Sequence, residues 1–378
     1  MGVAFGLSCG GAGSLFWIFV SALFASVIKY AESSLAASYK VENQGGMPYV
    51  IRAVFKRAGC PLSAIYALLC LGLSFVMGAA LQSKSAVESA ALATEGNPSV
   101  FALVFTLLVL LVVLRGGGFV ESVTAIAIPC ATVVYVILCL SLIAFNIGKI
   151  PSVLSAVFRD AFNFRSAVGG TLGFLFSRSV KEGFARGLLS NEAGAGTSAM
   201  AQSRAEREHP AEVGLLGIVE VFFDTVLLCG LTGIAVLCAV PDPSAYESGM
   251  EIVTLAVSSL FGGAGRLIIF LLIALFAYST VICWYFYGTQ CMKFLFGREK
   301  SRIYTVLFIY SVFVGFLIPS SILIYTSDYF LLFMSVLTLL TLLKSSERII
   351  GLSEQYGLLK KSDVGKGRNA SGGKKGKL

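Results

Sequence analysis

The chain has 378 residues, 56% of them hydrophobic and 13% charged, with a mean hydropathy of +0.84. Soluble globular domains carry about 25% charged residues, and several apolar runs here exceed the ~18 residues that mark a membrane-spanning helix, so a soluble domain is excluded. So is a β-barrel, whose strands would alternate polar and apolar residues over ~10 positions.

The formal net charge of +8 is not a nucleic-acid signal. From Lys344 onward there are nine basic residues and three acids, so the body of the chain is nearly balanced. The fold class is therefore an all-α polytopic membrane protein, with a membrane domain over residues 1–343. A basic tail over residues 344–378 lacks apolar periodicity and is expected to be disordered, in the cytoplasm beside anionic lipid headgroups.

In chain order, residues 1–13 (MGVAFGLSCGGAG) are apolar but too short to span, and read as the outer half of a crossing. Apolar stretches follow at residues 14–37, 61–93, 100–114, 122–147, 211–240, 256–296, 303–318 and 329–343, with a weaker, glycine-rich one at 166–201. Basic residues collect in alternate connections: Lys40, Arg52, Lys56 and Arg57; Arg115; Arg204 and Arg207; Lys293, Arg298, Lys300 and Arg302. The positive-inside rule puts these and the C-terminus in the cytoplasm, which closes only if the weak stretch also crosses. The result is nine crossings from an outside start. The outer connection that carries Lys149, Arg159 and Arg165 includes PSVLSAVFRDAFNF, whose amphipathic spacing fits an interfacial helix.

Nine cysteines stand singly with no C-x-x-C pair, which suggests neither a disulfide framework nor a metal site. His209 precedes Pro210 and fits a helix start.

The stretch RGLLSNEAGAGTSAMAQ interrupts this pattern. Neighbouring helical residues point about 100° apart, so Ser190, Asn191 and Glu192 do not all face one cavity from an unbroken helix. Gly194 and Gly196 follow, each costing a helix about 1 kcal/mol. Irregular backbone at membrane depth is tolerated where it lines protein or a cavity, and interrupted helices hold substrates and ions there. Close packing of small residues at 194–198 is the competing explanation; an intramembrane acid, Glu192, favours function. Asp224 (VFFDTVLL) is a second acid inside an apolar run, suited to an ion or to helix pairing. Gln82 and Lys84 lie past the middle of a long apolar stretch, and Lys84 either snorkels outward or acts on an ion. Ser279, Thr280 and Trp284 place hydroxyls and an indole on one helix, with hydroxyls bonded back to their own backbone as the alternative.

Four segments resemble the alanine or glycine:cation symporters: GGAGSLFWIFVSALFASVIKYAESSLAASY, MGAALQSKS, RGLLSNEAGAGTSAMAQSRAE with the later VGLLGIVEVFFDT, and STVICWYFYGTQCMKFLFG. The resemblance covers most of residues 1–343. It implies a leucine-transporter-type fold of two inverted repeats with the first and sixth helices broken, and symport of small neutral amino acids, alanine or glycine, with sodium. No cofactor is implied beyond sodium as the coupling ion. By matching positions, Gln82, Asn191 and Trp284 are expected at the substrate, and Ser279 and Thr280 at a sodium site between helices one and eight. Lys84, Glu192 and Asp224 are expected in ion binding or gating.

The sequence departs from the family pattern at Ala12, Ala79 and Lys84. The GTGN-like break expected in helix one would fall before Met1, so the start of helix one is expected to be missing. A truncated, transport-inactive paralogue or gene-model fragment therefore stays open as a second reading. An intramembrane enzyme built on Ser190, Glu192 or Asp224 is a third, disfavoured because no histidine lies in the apolar runs to act as base.

Overall fold

The computed structural model describes residues 2–39, 45–115, 118–162, 178–202, 209–246, 248–297 and 301–359. The charges at Lys40, Arg165, Arg204, Arg207, Arg298 and Lys300, the start of the weak stretch at 166–177, and the tail from residue 360 lie outside them. Every regular element among the described residues is helical. The helices are α1 (Gly2–Gly10), α2 (Ser14–Ser38), α3 (Met47–Val54), α4 (Lys56–Thr94), α5 (Pro98–Arg115), α6 (Gly118–Phe145), α7 (Ile150–Ala161), α8 (Arg178–Asn191) and α9 (Ser198–Gln202). Then come α10 (Pro210–Ala239), α11 (Gly249–Phe296), α12 (Ser301–Val314), α13 (Ser320–Lys344) and α14 (Ser346–Gln355).

Seven of these are long and apolar enough to cross a membrane: α2, α4, α5, α6, α10, α11 and α13. The chain is a multi-pass membrane protein. The other two expected crossings take different forms. One is the shorter apolar helix Arg302–Leu317; the other is the interrupted pair α8 and α9.

Several boundaries differ from the hydropathy reading. Helical structure in α11 begins at Gly249 rather than 256, and Gly262, at φ 57 and ψ −138, is non-helical and divides α11 into two helices that meet at a kink. Helix α13 begins at Ser320 rather than 329. Its first turns are rich in Ser, Thr and Asp, which lowers their hydropathy, but the Ser327 hydroxyl bonds back to Leu323 O at 2.8 Å. The expected disordered tail opens instead with a helix, α14. Its Ser353 Oγ meets Tyr30 Oη at 2.7 Å, and Arg348 donates to Ser38 O at 2.9 Å and stacks over the Tyr39 ring at 4.1 Å.

Helix α2 organises the site. It packs between α8 and α10, and close approach comes from small residues. A side chain at Gly183 or Gly187 of α8 would run into Trp17 or Ser21, and one at Gly217 of α10 into Lys29 and Ser33. Helix α2 buries a set of polar groups, Ser14, Ser21, Lys29, Glu32, Ser33 and Ser34. Helix α7, in the segment expected to be interfacial, buries Val153, Val157 and Ala161 and packs on the start of α2, where Trp17 Nε1 donates to Ala161 O at 3.1 Å. Helix α1 is enclosed by protein, with Val3, Ala4, Phe5 and Leu7 buried.

Candidate functional site

The interruption in the α8–α9 pair occupies residues 192–197. Glu192, Gly194 and Gly196 all take positive φ, at 53°, 87° and 73°. Left-handed backbone suits glycine and is uncommon for glutamate. Local hydrogen bonds hold it here: Ala195 N donates to Glu192 O at 3.1 Å, and Thr197 Oγ1 donates to Glu192 Oε2 at 2.6 Å. Asn191, the last residue of α8, makes the turn. Its Oδ1 accepts from Ala193 N at 3.0 Å, and its Nδ2 donates to Thr225 Oγ1 at 3.2 Å.

Beside this break lies a cavity of about 450 Å³, within the ~300–1,000 Å³ usual for small-molecule sites. Its wall draws Gly2 and Val3 from α1, Met77 and Gln82 from α4, Arg186 and Ser190 from α8, Glu192 from the break, Asp224 and Thr232 from α10, and Ala277 and Thr280 from α11. The polar wall is continuous at one point: Ser190 Oγ donates to Asp224 Oδ2 at 2.6 Å and touches Cys229 Sγ at 3.2 Å. Asp224 sits in a π-helical segment, Phe222–Cys229, whose wider turn carries it.

Of the residues singled out in the sequence, Gln82, Glu192, Asp224 and Thr280 come together around the cavity. Asn191 shapes the break and spends its side chain there. Trp284 is buried behind the wall, its ring edge-on to Tyr287 at 5.5 Å, over the face of α4 left open by Gly78. Ser279 and Thr280 both donate back to Phe276 O, at 3.0 and 2.8 Å, and only Thr280 is part of the wall. Lys84 is turned away from it. Its ammonium donates to Phe316 O at 3.0 Å, beyond the C-terminus of α12, where a cation meets the negative end of the helix dipole. The expected ion or gating role of Lys84 thus finds no cavity contact.

Six charged residues of this region were not singled out. Lys29 is wholly buried; its Nζ donates to Asn191 O at 2.5 Å and pairs with Glu220 Oε1 at 3.2 Å. Glu32, one turn on, is also wholly buried and faces the amides of Gly194 and Gly196, without closing a strict hydrogen bond to either. Arg186 pairs with Asp328 of α13 and approaches Glu182 Oε2 at 3.5 Å. The signal for Lys29 and Glu32 was present: both lie inside a 24-residue apolar stretch, where charge is costly.

A family model described as the sodium:alanine symporter family matches residues 1–369. The chain belongs to the sodium:alanine symporter family. Among its relatives is the sodium/alanine symporter AgcS of Methanococcus maripaludis, 30% identical over 323 residues, or 83% of this chain and 70% of that one. The amino-acid carrier protein AlsT of Bacillus subtilis is 29% identical over 348 residues, 90% of this chain and 72% of its own length. The probable sodium/glutamine symporter GlnT of Bacillus subtilis is 27% identical over 316 residues, 82% and 64%. The sodium:alanine symporter family is one of transporters, not of enzymes, and its coupling ion is sodium. The reading of Ser190, Glu192 and Asp224 as an intramembrane enzyme is accordingly set aside.

Proposed function

We propose that this chain is a secondary active symporter that takes up small neutral amino acids of alanine or glycine size, coupled to sodium. It is built on a leucine-transporter-type inverted repeat, with α8 and α9 as the broken sixth helix. The observation that carries this reading is the interrupted helix beside a partly polar cavity of about 450 Å³. Gln82 and the break take the substrate's polar groups, Asn191 holds the break's shape, and Trp284 backs the apolar wall. Thr280 with Ser279 contributes to a sodium site toward the start of α1, and Asp224 and Glu192 supply negative charge for cations. Both solutes stabilise the same closed arrangement of the break, and that shared preference is the coupling.

The membrane domain spans residues 1–343, and the charge bias places α14 and the tail in the cytoplasm of a cell-membrane protein.

The test is radiolabelled alanine uptake into proteoliposomes with and without an inward sodium gradient, with glycine and glutamine as competitors. Uptake driven by the gradient and competed by glycine is the expected result. Uptake that is the same under every gradient overturns the reading.

A further inference from the structure

The carbonyl end of α8 is met by a side chain from another helix. The chain's backbone turns at Asn191, so the last carbonyls of α8 lack helical partners, and their partial charges sum to a negative end. Such an end at membrane depth needs a cation or a donor. Here Lys29 of α2 supplies both: it is wholly buried, and its ammonium donates to Asn191 O at 2.5 Å. Glu220 Oε1 of α10 lies 3.2 Å from the same nitrogen, but its side chain is 46% exposed. Glu32, Glu192 and Asp224 are within electrostatic reach of the ammonium. Burying an ammonium carries a large desolvation cost, which an exposed ion pair does not offset. The direct contact that compensates it is the one with the helix end, with Glu32, Glu192 and Asp224 adding attraction from further off.

We propose that Lys29 is a tethered cation of the transport site, a positioning residue whose ammonium occupies the carbonyl end of α8. It holds the break against α2 and fills the position a free cation would otherwise take. Sodium consequently acts in the cavity rather than at this helix end, and the α8 end carries its counter-charge on the protein through the cycle. The proposal rests on the symport reading for its role in transport, but not for the contact itself.

The experiment compares wild type and Lys29→Ala in proteoliposomes and in detergent. The deletion opens a space shaped for a short alkylammonium ion, so n-propylammonium is the probe and n-propanol its uncharged control. Loss of a hydrogen bond made by a charged group predicts a fall in sodium-driven alanine uptake on the order of tenfold or more. Propylammonium is expected to restore a large part of the uptake and to raise the variant's melting temperature, and propanol to do neither. Unchanged uptake in Lys29→Ala overturns the proposal, and so does a folded variant whose loss propylammonium does not reverse.

If Lys29→Ala is recovered folded only with propylammonium present, that supports it. If it is recovered under neither condition, Glu220→Gln decides. Near-normal uptake there supports the helix end as the acting contact, and a tenfold loss assigns the role to the ion pair and overturns the proposal. Should wild type itself fail to take up alanine, the symport reading falls, and the melting response to propylammonium still tests the tethered cation.

Discussion

Arginine at position 186 is the most exacting point at which to perturb the wall of the cavity. Its guanidinium is 1% exposed and is shared between Asp328, 27% exposed on α13, and Glu182, 8% exposed one turn earlier on α8. Arg186→Met removes the cation and leaves two carboxylates facing an apolar side chain. Removing one partner of a fully buried pair costs about 3–5 kcal/mol. Asp328 retains some solvent, so the lower end applies, about 3 kcal/mol or roughly a hundredfold in the folding equilibrium. Asp328→Asn leaves an amide oxygen to accept from the guanidinium and is expected to cost less, about 1–2 kcal/mol. Once either partner is gone the other change matters less, so the double variant should fall short of the sum by at least about 1 kcal/mol. Equilibrium unfolding of the four proteins in mixed micelles measures this. A double variant additive to within about 0.5 kcal/mol would show that the pair does not couple α8 to α13, and the reasoning fails.

Three further outcomes follow from contacts at and around the site. Lys84→Asn is expected to lower stability by about 1 kcal/mol through the lost bond to Phe316 O, and to leave the sodium requirement of uptake unchanged; a shifted sodium half-saturation would return Lys84 to the ion pathway. Gly78→Ala drives a methyl into the Trp284 side chain, an overpacking that costs about 1–3 kcal/mol; a melting temperature equal to wild type counts against close packing of α4 on α11. Tyr66 Oη donates to Ala195 O in the break at 2.5 Å and is wholly buried. Tyr66→Phe should therefore cost about 1–2 kcal/mol and weaken alanine binding, and unaltered binding by calorimetry would separate Tyr66 from the site.

The break was legible because it violates a local rule. Two glycines and three successive polar residues do not continue an apolar helix, and the chain duly turns at residues 192–197. Helix class and approximate spans were legible for the same reason, since hydropathy over 18 residues is a local sum. What lay beyond reach were pairings between distant positions. Lys29 meets Asn191 across 162 residues, and Arg186 meets Asp328 across 142. Neither residue announces its partner, and Asp328 in particular shortened the apparent span of α13 by making its first turns look like loop. Trp284 and Thr280 illustrate a finer failure. They share a helical face by spacing, but the cavity takes Thr280 into its wall and leaves the indole to the packing behind it. Which part of a face is cavity and which is core depends on the neighbouring helix, here on the space Gly78 vacates.

Helix α14 grips α2 at Tyr30, through Ser353, and the residue beside Tyr30 is Lys29, whose ammonium holds the end of α8. Two adjacent side chains thus reach one to α14 and the other to the end of α8 at the break. A pull on α14 would therefore act on α2 one residue away from the contact with the break. Cargo fused to this end of the protein would bear on the same lever.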